Sequence, residues 1–344
     1  MTALVYTRDQ LMASHAYAKP HEEAGYRLHG GFAADGSYIS PRTLNRWPAV
    51  RAWQAQLKDR GWPLIDASVE LLKRGNYPNI AQQKLLLAHG FGETLWNALT
   101  ITGVIEARGR ALCEFAAPDF QQIIAGDISH TCTGHLHKGL LYAHGVDEGG
   151  DPQDDSFGAH DQMWFATRDL LFGKNRYPLP EIPESIGRPD QGRLMPQLPA
   201  SFEQLIILLM NVLMIEVRAE AFFSFCCTVM RDPANFADRR ASAGQAARMV
   251  ERIRTDEAIH VAYLQTAISE MRSFRFRAQD GGTIEGKSLI DPVWEGMVHW
   301  HSVTQADFAR EQSHAAIAAR LGAASGGDAI LREFEALDDR AQAA

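Results

Sequence analysis

Cysteine is scarce in this chain, with only Cys113, Cys132, Cys226 and Cys227, and no Cys-x-x-Cys pair occurs. That excludes a disulfide scaffold and a zinc ribbon and leaves the four as small core residues. Clustered positive charge is absent too: the formal net charge is −8 and Lys and Arg form no run. A nucleic-acid or anionic-membrane partner is therefore not expected. The longest apolar run, Leu205 to Ile215, is too short to span a bilayer and meets Glu216, Arg218 and Glu220 at its end. The first residues lack the basic start and unbroken apolar stretch of a secretory signal, so a cytoplasmic location is expected. No flavin, nicotinamide or iron–sulfur motif, no repeat and no low-complexity tract is present. What remains is ordinary globular material, 46% hydrophobic and 22% charged, enough for a sizeable core.

Helical periodicity organises most of it. The reading is one all-α domain, a ferritin-like helical bundle with an N-terminal cap over 1–78 and a first helix pair over 79–145. A loop-rich crossover follows over 146–200, then a second helix pair over 201–275 and a C-terminal helix over 288–322. The crossover carries seven prolines, and the Ala-rich last twenty residues are expected to fray.

Chemistry is expected where polar residues fall inside apolar stripes. In the fourth long helix Met249, Ile253, Glu257, His260, Leu264, Ile268 and Met271 recur at three- and four-residue spacing. Glu257 and His260 thus sit on the buried face, where an ionised carboxylate needs a partner and Glu-x-x-His aims an oxygen and a nitrogen at one point. The third helix offers Glu216 and Glu220; the shorter separation from Glu257 favours Glu220, with Glu216 in reserve. A second stripe, Ile123, Asp127, His130, Gly134, His137, Leu141, His144, carries Asp127 and His130, with His137 as a reserve ligand. His144 reads as a core or ligand-orienting histidine, and His160 as an ordinary polar residue. For the first helix the spacing to Asp127 favours Glu93 over Glu106. Acid, acid-x-x-His, acid, acid-x-x-His over four helices is how a dinuclear carboxylate site is built. Chance alone supplies roughly 1.6 acid-x-x-His matches at this composition. The three found, including a solvent-facing Glu311 and His314, carry little until the buried stripes are added.

The stretches AEAFFSFCCTVMRDP and RTDEAIHVAYLQTAISEM resemble the third and fourth helices of the p-aminobenzoate N-oxygenase family, dinuclear iron enzymes of ferritin-like fold. GFGETLW and GDISHTCTGHLH are similar to its first and second, so that about 150 residues are covered. Carried over position by position, the resemblance implies ligands at Glu93, Asp127, His130, Glu220, Glu257 and His260. Two departures stand out: Asp127 where the family has Glu, and Ile253 where it has an extra histidine ligand.

The function expected is that of an O2-dependent di-iron monooxygenase acting on a small organic substrate, by N-oxygenation of an amine or C–H hydroxylation. Two iron ions would be its cofactor, with manganese as competitor. Phe91, Trp96, Phe222 and Phe223 would surround the substrate, and electrons would come from an external donor. A homodimer is compatible with this reading. Iron storage in a ferritin-like protein, or a metal-free helical interaction protein, are the alternatives.

Overall fold

The computed structural model describes residues 4–342, with side chains described over residues 4–338. Helix α1 (Arg8–Met12) opens the chain and two short antiparallel hairpins follow, β1 (His21–Glu23) with β2 (Tyr26–Leu28) and β3 (Gly31–Phe32) with β4 (Tyr38–Ile39). Next come α2 (Arg46–Asp59), α3 (Ile80–Ala88), α4 (Glu93–Gly109), strand β5 (Ile124–Ala125), α5 (Leu140–Gly149) and α6 (His160–Phe172). The two longest helices, α7 (Ala200–Arg231) and α8 (Arg240–Ser273), form a hairpin. Strands β6 (Arg275–Arg277) and β7 (Thr283–Glu285), then α9 (Gly286–His299), α10 (Gln305–Gly322) and α11 (Gly327–Gln342), complete the chain. This is an all-α helical bundle with a few short strands: α6 packs on both α4 and α8, and α7 on α8. No helix among the described residues is long and apolar enough to cross a membrane.

Two apolar cores lie along the bundle. Leu205, Leu209, Leu213 and Val217 of α7 meet Ile259, Tyr263 and Leu264 of α8 in one. Phe223, Cys226 and Met230 of α7 meet Met249, Val250 and Ile253 of α8 in the other, with Leu95 and Leu99 of α4 and Trp164 of α6. Where the two sets meet, Glu216 on α7, beside Val217, and Asp256, Glu257 and His260 on α8 form a polar layer with apolar packing on both sides.

Three expected elements take a different form. The first long helix is broken: α3 ends where Gly90 adopts a left-handed φ of 80°, and α4 starts afresh at Glu93. The second is displaced. Residues expected to run as one helix to His144 form instead short 3-10 turns and β5, which pairs with β6, and α5 begins only after Gly139 at φ 118°. Regular apolar spacing over 123–144 therefore reflects a segment laid on the core by scattered contacts, not one helix face. The expected C-terminal fraying gives way to α11, whose fully buried Phe334 packs against Leu85 and Leu86 of α3.

Glu270 of α8 anchors the displaced segment by accepting hydrogen bonds from the backbone N–H of Cys132 (3.0 Å) and Thr133 (2.8 Å) and from the Thr133 hydroxyl (2.8 Å). Burial pushes its carboxyl up to about 7, against the opposing effect of these bonds. A carboxyl raised in the folded state contributes stability that is complete below its unfolded value of 4.5 and is lost as pH rises through 7. Relative to Glu270→Gln, the wild type should lose about 3 kcal/mol between pH 4.5 and 8. Denaturant unfolding across that range tests this, and a constant difference between the two proteins would refute it.

Candidate metal centre

Seven side chains converge in the polar layer. Glu106 comes from the last turns of α4. His144 and Glu148, one turn apart, come from the same face of α5. His160 is the first residue of α6, Glu216 lies mid-way along α7, and Glu257 and His260 lie on α8. They form two groups in which one nitrogen or oxygen of every member lies within 4.8 Å of the others: His144, Glu148, Glu216 and His260, and Glu106, Glu148, His160 and Glu257. Glu148 belongs to both. Its approach to α4 depends on Gly109, where a Cβ would lie 2.7 Å from that of Glu148.

Each imidazole has one nitrogen tied to a partner outside these groups and the other aimed inward. His260 Nε2 donates to Asp147 (3.1 Å), leaving Nδ1 2.6 Å from Glu257 and 3.1 Å from Glu148. His144 Nδ1 meets the Tyr263 hydroxyl at 2.7 Å, leaving Nε2 3.1 Å from Glu148 and 3.2 Å from Glu216. His160 Nε2 donates to Asp256 (3.2 Å), leaving Nδ1 3.0 Å from Glu257. Such outer partners fix tautomer and ring orientation in metal sites.

The cap supplies the layer behind them. Arg42 and Arg46 both bond Asp147, the latter at 2.6 Å, and His29 (3.3 Å) and the Tyr38 hydroxyl (2.8 Å) hold Asp256. Residues expected to cap the bundle thus position two of the three imidazoles.

The charge arrangement calls for cations. Burial and the neighbouring carboxylates Glu148 and Glu257 push Glu106 and Glu216 well above the ordinary range. Burial opposes the charged forms of His160 and His260, but the acids around them together outweigh it and raise both: Glu257 and Glu148 with Asp256 for His160, and with Asp147 for His260. Asp147 is held well below its usual range because Arg42 and Arg46 overcome its burial. Two buried atoms in close company make no hydrogen bond of usable angle, Glu148 Oε1 and His160 Nδ1. Beside one internal hydrogen bond, His260 Nδ1 to Glu257 Oε2 at 2.6 Å, these two unsatisfied atoms aimed into the cluster match ligands for an ion. The cluster could hold metal ions.

Of the expected ligands, the structure brings together Glu257 and His260 and, from the reserves, Glu106 and Glu216. Glu93 lies 13 residues before Glu106, about 20 Å along the helix, and pairs with Arg320 of α10. Glu220 points outward and is bound by Arg254 through both oxygens, its side chain 35% exposed. Asp127 is an exposed turn residue that accepts bonds from Ser129 N–H (2.8 Å) and its hydroxyl (3.0 Å). His130 and His137 are exposed as well, and among the described residues the one acid within 4 Å of His137 is Asp119, at 3.9 Å. Glu311 and His314 lie on α10, where His314 faces Glu335 of α11 at 3.4 Å. His144, Glu148 and His160 are the residues sequence reasoning passed over. The signal for two of them was there, a His-x-x-x-Glu pair on an apolar helix, the reverse order of the motif sought. His160 had none, because it opens a helix inside a Gly- and Pro-rich stretch.

A cavity of about 890 Å³ adjoins the cluster, with Glu106, His144, Glu148 and Glu216 in its wall. Its apolar side includes Ile101, Ile105, Val212, Phe222 and Phe223. Trp96 and Phe91, expected near a substrate, lie elsewhere: Arg168 lies over the Trp96 ring, which meets Tyr177 edge to face, and Phe91 packs on the α3–α11 contact. No family model matches the chain, and no curated protein or solved structure matches it.

Proposed function

We propose that this chain is a dinuclear iron enzyme that uses O2 to oxidise an organic substrate bound in the adjoining cavity. The observation that carries the reading is the pair of four-residue groups sharing Glu148, with four carboxylates and three imidazoles in a layer sealed between two apolar cores. Hard carboxylate oxygens with imidazole nitrogens suit Fe(II) or Mn(II), whereas zinc is commonly satisfied by fewer ligands. Two divalent cations would also neutralise the four carboxylates, removing the repulsion that raises Glu106 and Glu216.

When bound, the iron pair supplies the electrons and the coordination positions for reaction with O2. The chain's own residues do the rest. Glu148 belongs to both groups, and Asp147, Asp256 and Tyr263 hold the imidazoles with their other nitrogens turned toward the carboxylates. Trp164 Nε1 of α6 donates to Glu106 Oε1 at 3.3 Å, which orients that carboxylate. Phe222 and Phe223 keep water out of the cavity wall next to Glu216, limiting wasteful oxidation. Reducing equivalents come from a separate donor. The likeness of α7 and α8 to the p-aminobenzoate N-oxygenase family supports this reading at Glu257 and His260, while the ligands on α5 and α6 depart from the set that likeness implies.

Metal analysis of two neighbouring variants tests the assignment. Glu216→Ala should lose bound iron, whereas Glu220→Ala, one turn away, should keep it and cost under about 1 kcal/mol as a surface ion pair. Equal iron content in the two variants would refute the reading.

A further inference from the structure

The cavity beside the carboxylates has a second, oppositely charged feature. Arg218, on α7 two residues beyond Glu216, lines it together with Arg188, His301 and Asn211. A polar lattice holds these groups in place. Asn211 Oδ1 accepts from the Arg188 backbone N–H (2.6 Å) and from His301 Nε2 (3.1 Å), and His301 Nδ1 accepts from Arg218 Nη1 (3.4 Å). Arg218 Nη1 also reaches the Ile186 carbonyl (3.3 Å). A π-helical turn over Trp300–Thr304 places His301 there, an irregularity that often marks functional positions.

Among the described residues neither guanidinium has a carboxylate within ion-pair distance, whereas the buried arginines each have one: Arg42 and Arg46 share Asp147, Arg168 pairs with Asp169 and Arg252 with Glu23. Arg218 is half-buried in the cavity wall. Burial and the two cations beside it keep His301 neutral, down at about 3, so it serves as an acceptor and adds no charge. Arg188 is half-buried: its Nη2 donates to Gln191 Oε1, while its Nε is buried without a partner. Unpaired buried cations are costly and are retained where a ligand supplies the missing charge.

We propose that Arg218 and Arg188 bind the acid group of an amphipathic anionic substrate, a carboxylate or phosphate monoester whose apolar body fills the cavity toward Glu216. The size supports an extended body: 890 Å³ is near the upper end for small-molecule sites. A bidentate guanidinium contact is the geometry both acid groups favour. This inference rests on the reading of the cavity as the substrate chamber.

Titration calorimetry with decanoate, decyl phosphate, decanol and inorganic phosphate, on metal-free and iron-loaded protein, tests it. Decanoate or decyl phosphate should bind at least tenfold more tightly than decanol and than inorganic phosphate, and the tighter of the two names the acid group. Arg218→Met and, independently, Arg188→Gln should abolish that preference. Arg218→Met should melt no lower than the wild type without ligand, because an unpaired cation is removed. Equal binding of decanol, an unchanged preference in both variants, or a large loss of stability in Arg218→Met would each overturn the proposal. Anion preference in a protein that binds no iron would uphold the pocket and remove only the enzymatic reading.

Discussion

Glu148→Ala should strip the protein of both metal ions at once, lowering iron from about two per chain toward zero. No other side chain belongs to both four-residue groups, so its loss removes a ligand from each. The effect should exceed the roughly 10–100-fold that loss of an orienting partner costs in affinity. Stability should move in an informative way. Without metal, burial opposes the Glu148 carboxylate but its hydrogen bonds to Glu106, His144, His160 and His260 hold it well below the ordinary range, so the metal-free variant should itself be less stable than the metal-free wild type at neutral pH. With metal, the wild type gains roughly 4 kcal/mol at a thousandfold excess over Kd, and the variant gains little. Melting both proteins with and without a chelator reads this directly. A variant that still shows a chelator-dependent shift of wild-type size would refute the bridging role.

The second large effect is structural. Asp147 is fully buried between Arg42, Arg46 and His260, and it ties the N-terminal segment to α5 and α8. Asp147→Ala leaves two buried guanidinium groups without a counter-charge, which costs about 3–5 kcal/mol. That is a large part of the 5–15 kcal/mol typical of a folded domain. Urea unfolding should show it, and the added substitutions Arg42→Met and Arg46→Met should restore much of the loss by removing the orphaned charges. A loss below about 1 kcal/mol would mean that water reaches these groups and that the network is looser than the geometry shows.

These residues mark where sequence reasoning succeeded and where it failed. Glu257 and His260 were legible because α8 is long, unbroken and amphipathic, so a polar pair inside its stripe can only be buried. On α7 the two candidate acids were legible, but the choice between them was not. Helices α7 and α8 are joined by residues 232–239, and Glu216 and Glu257 each lie about 20 residues from the middle of that connection. Choosing the shorter separation therefore picked the turn facing Arg254. On α4, Glu93 and Glu106 were weighed against Asp127, a reference residue that is itself in a surface turn, so the error passed from one to the other. That turn depends on Gly126 and Gly139 at positive φ and on β5 pairing with β6, about 150 residues away in sequence.

Composition, period and the lack of spanning or basic segments were sufficient for an all-α bundle with acids and histidines inside it, because burial patterns along a helix are local properties. The ligand set was decided by packing. His260 finds Asp147 across 113 residues, and His160 finds Asp256 across 96. A side chain's direction around its own helix follows from 100° per residue, but which neighbour it meets depends on the relative depth and rotation of two helices. Those are settled by apolar packing above and below the polar layer. The same packing placed Arg218 in the cavity wall with no carboxylate among the described residues within ion-pair distance, a feature no spacing rule along the chain contains.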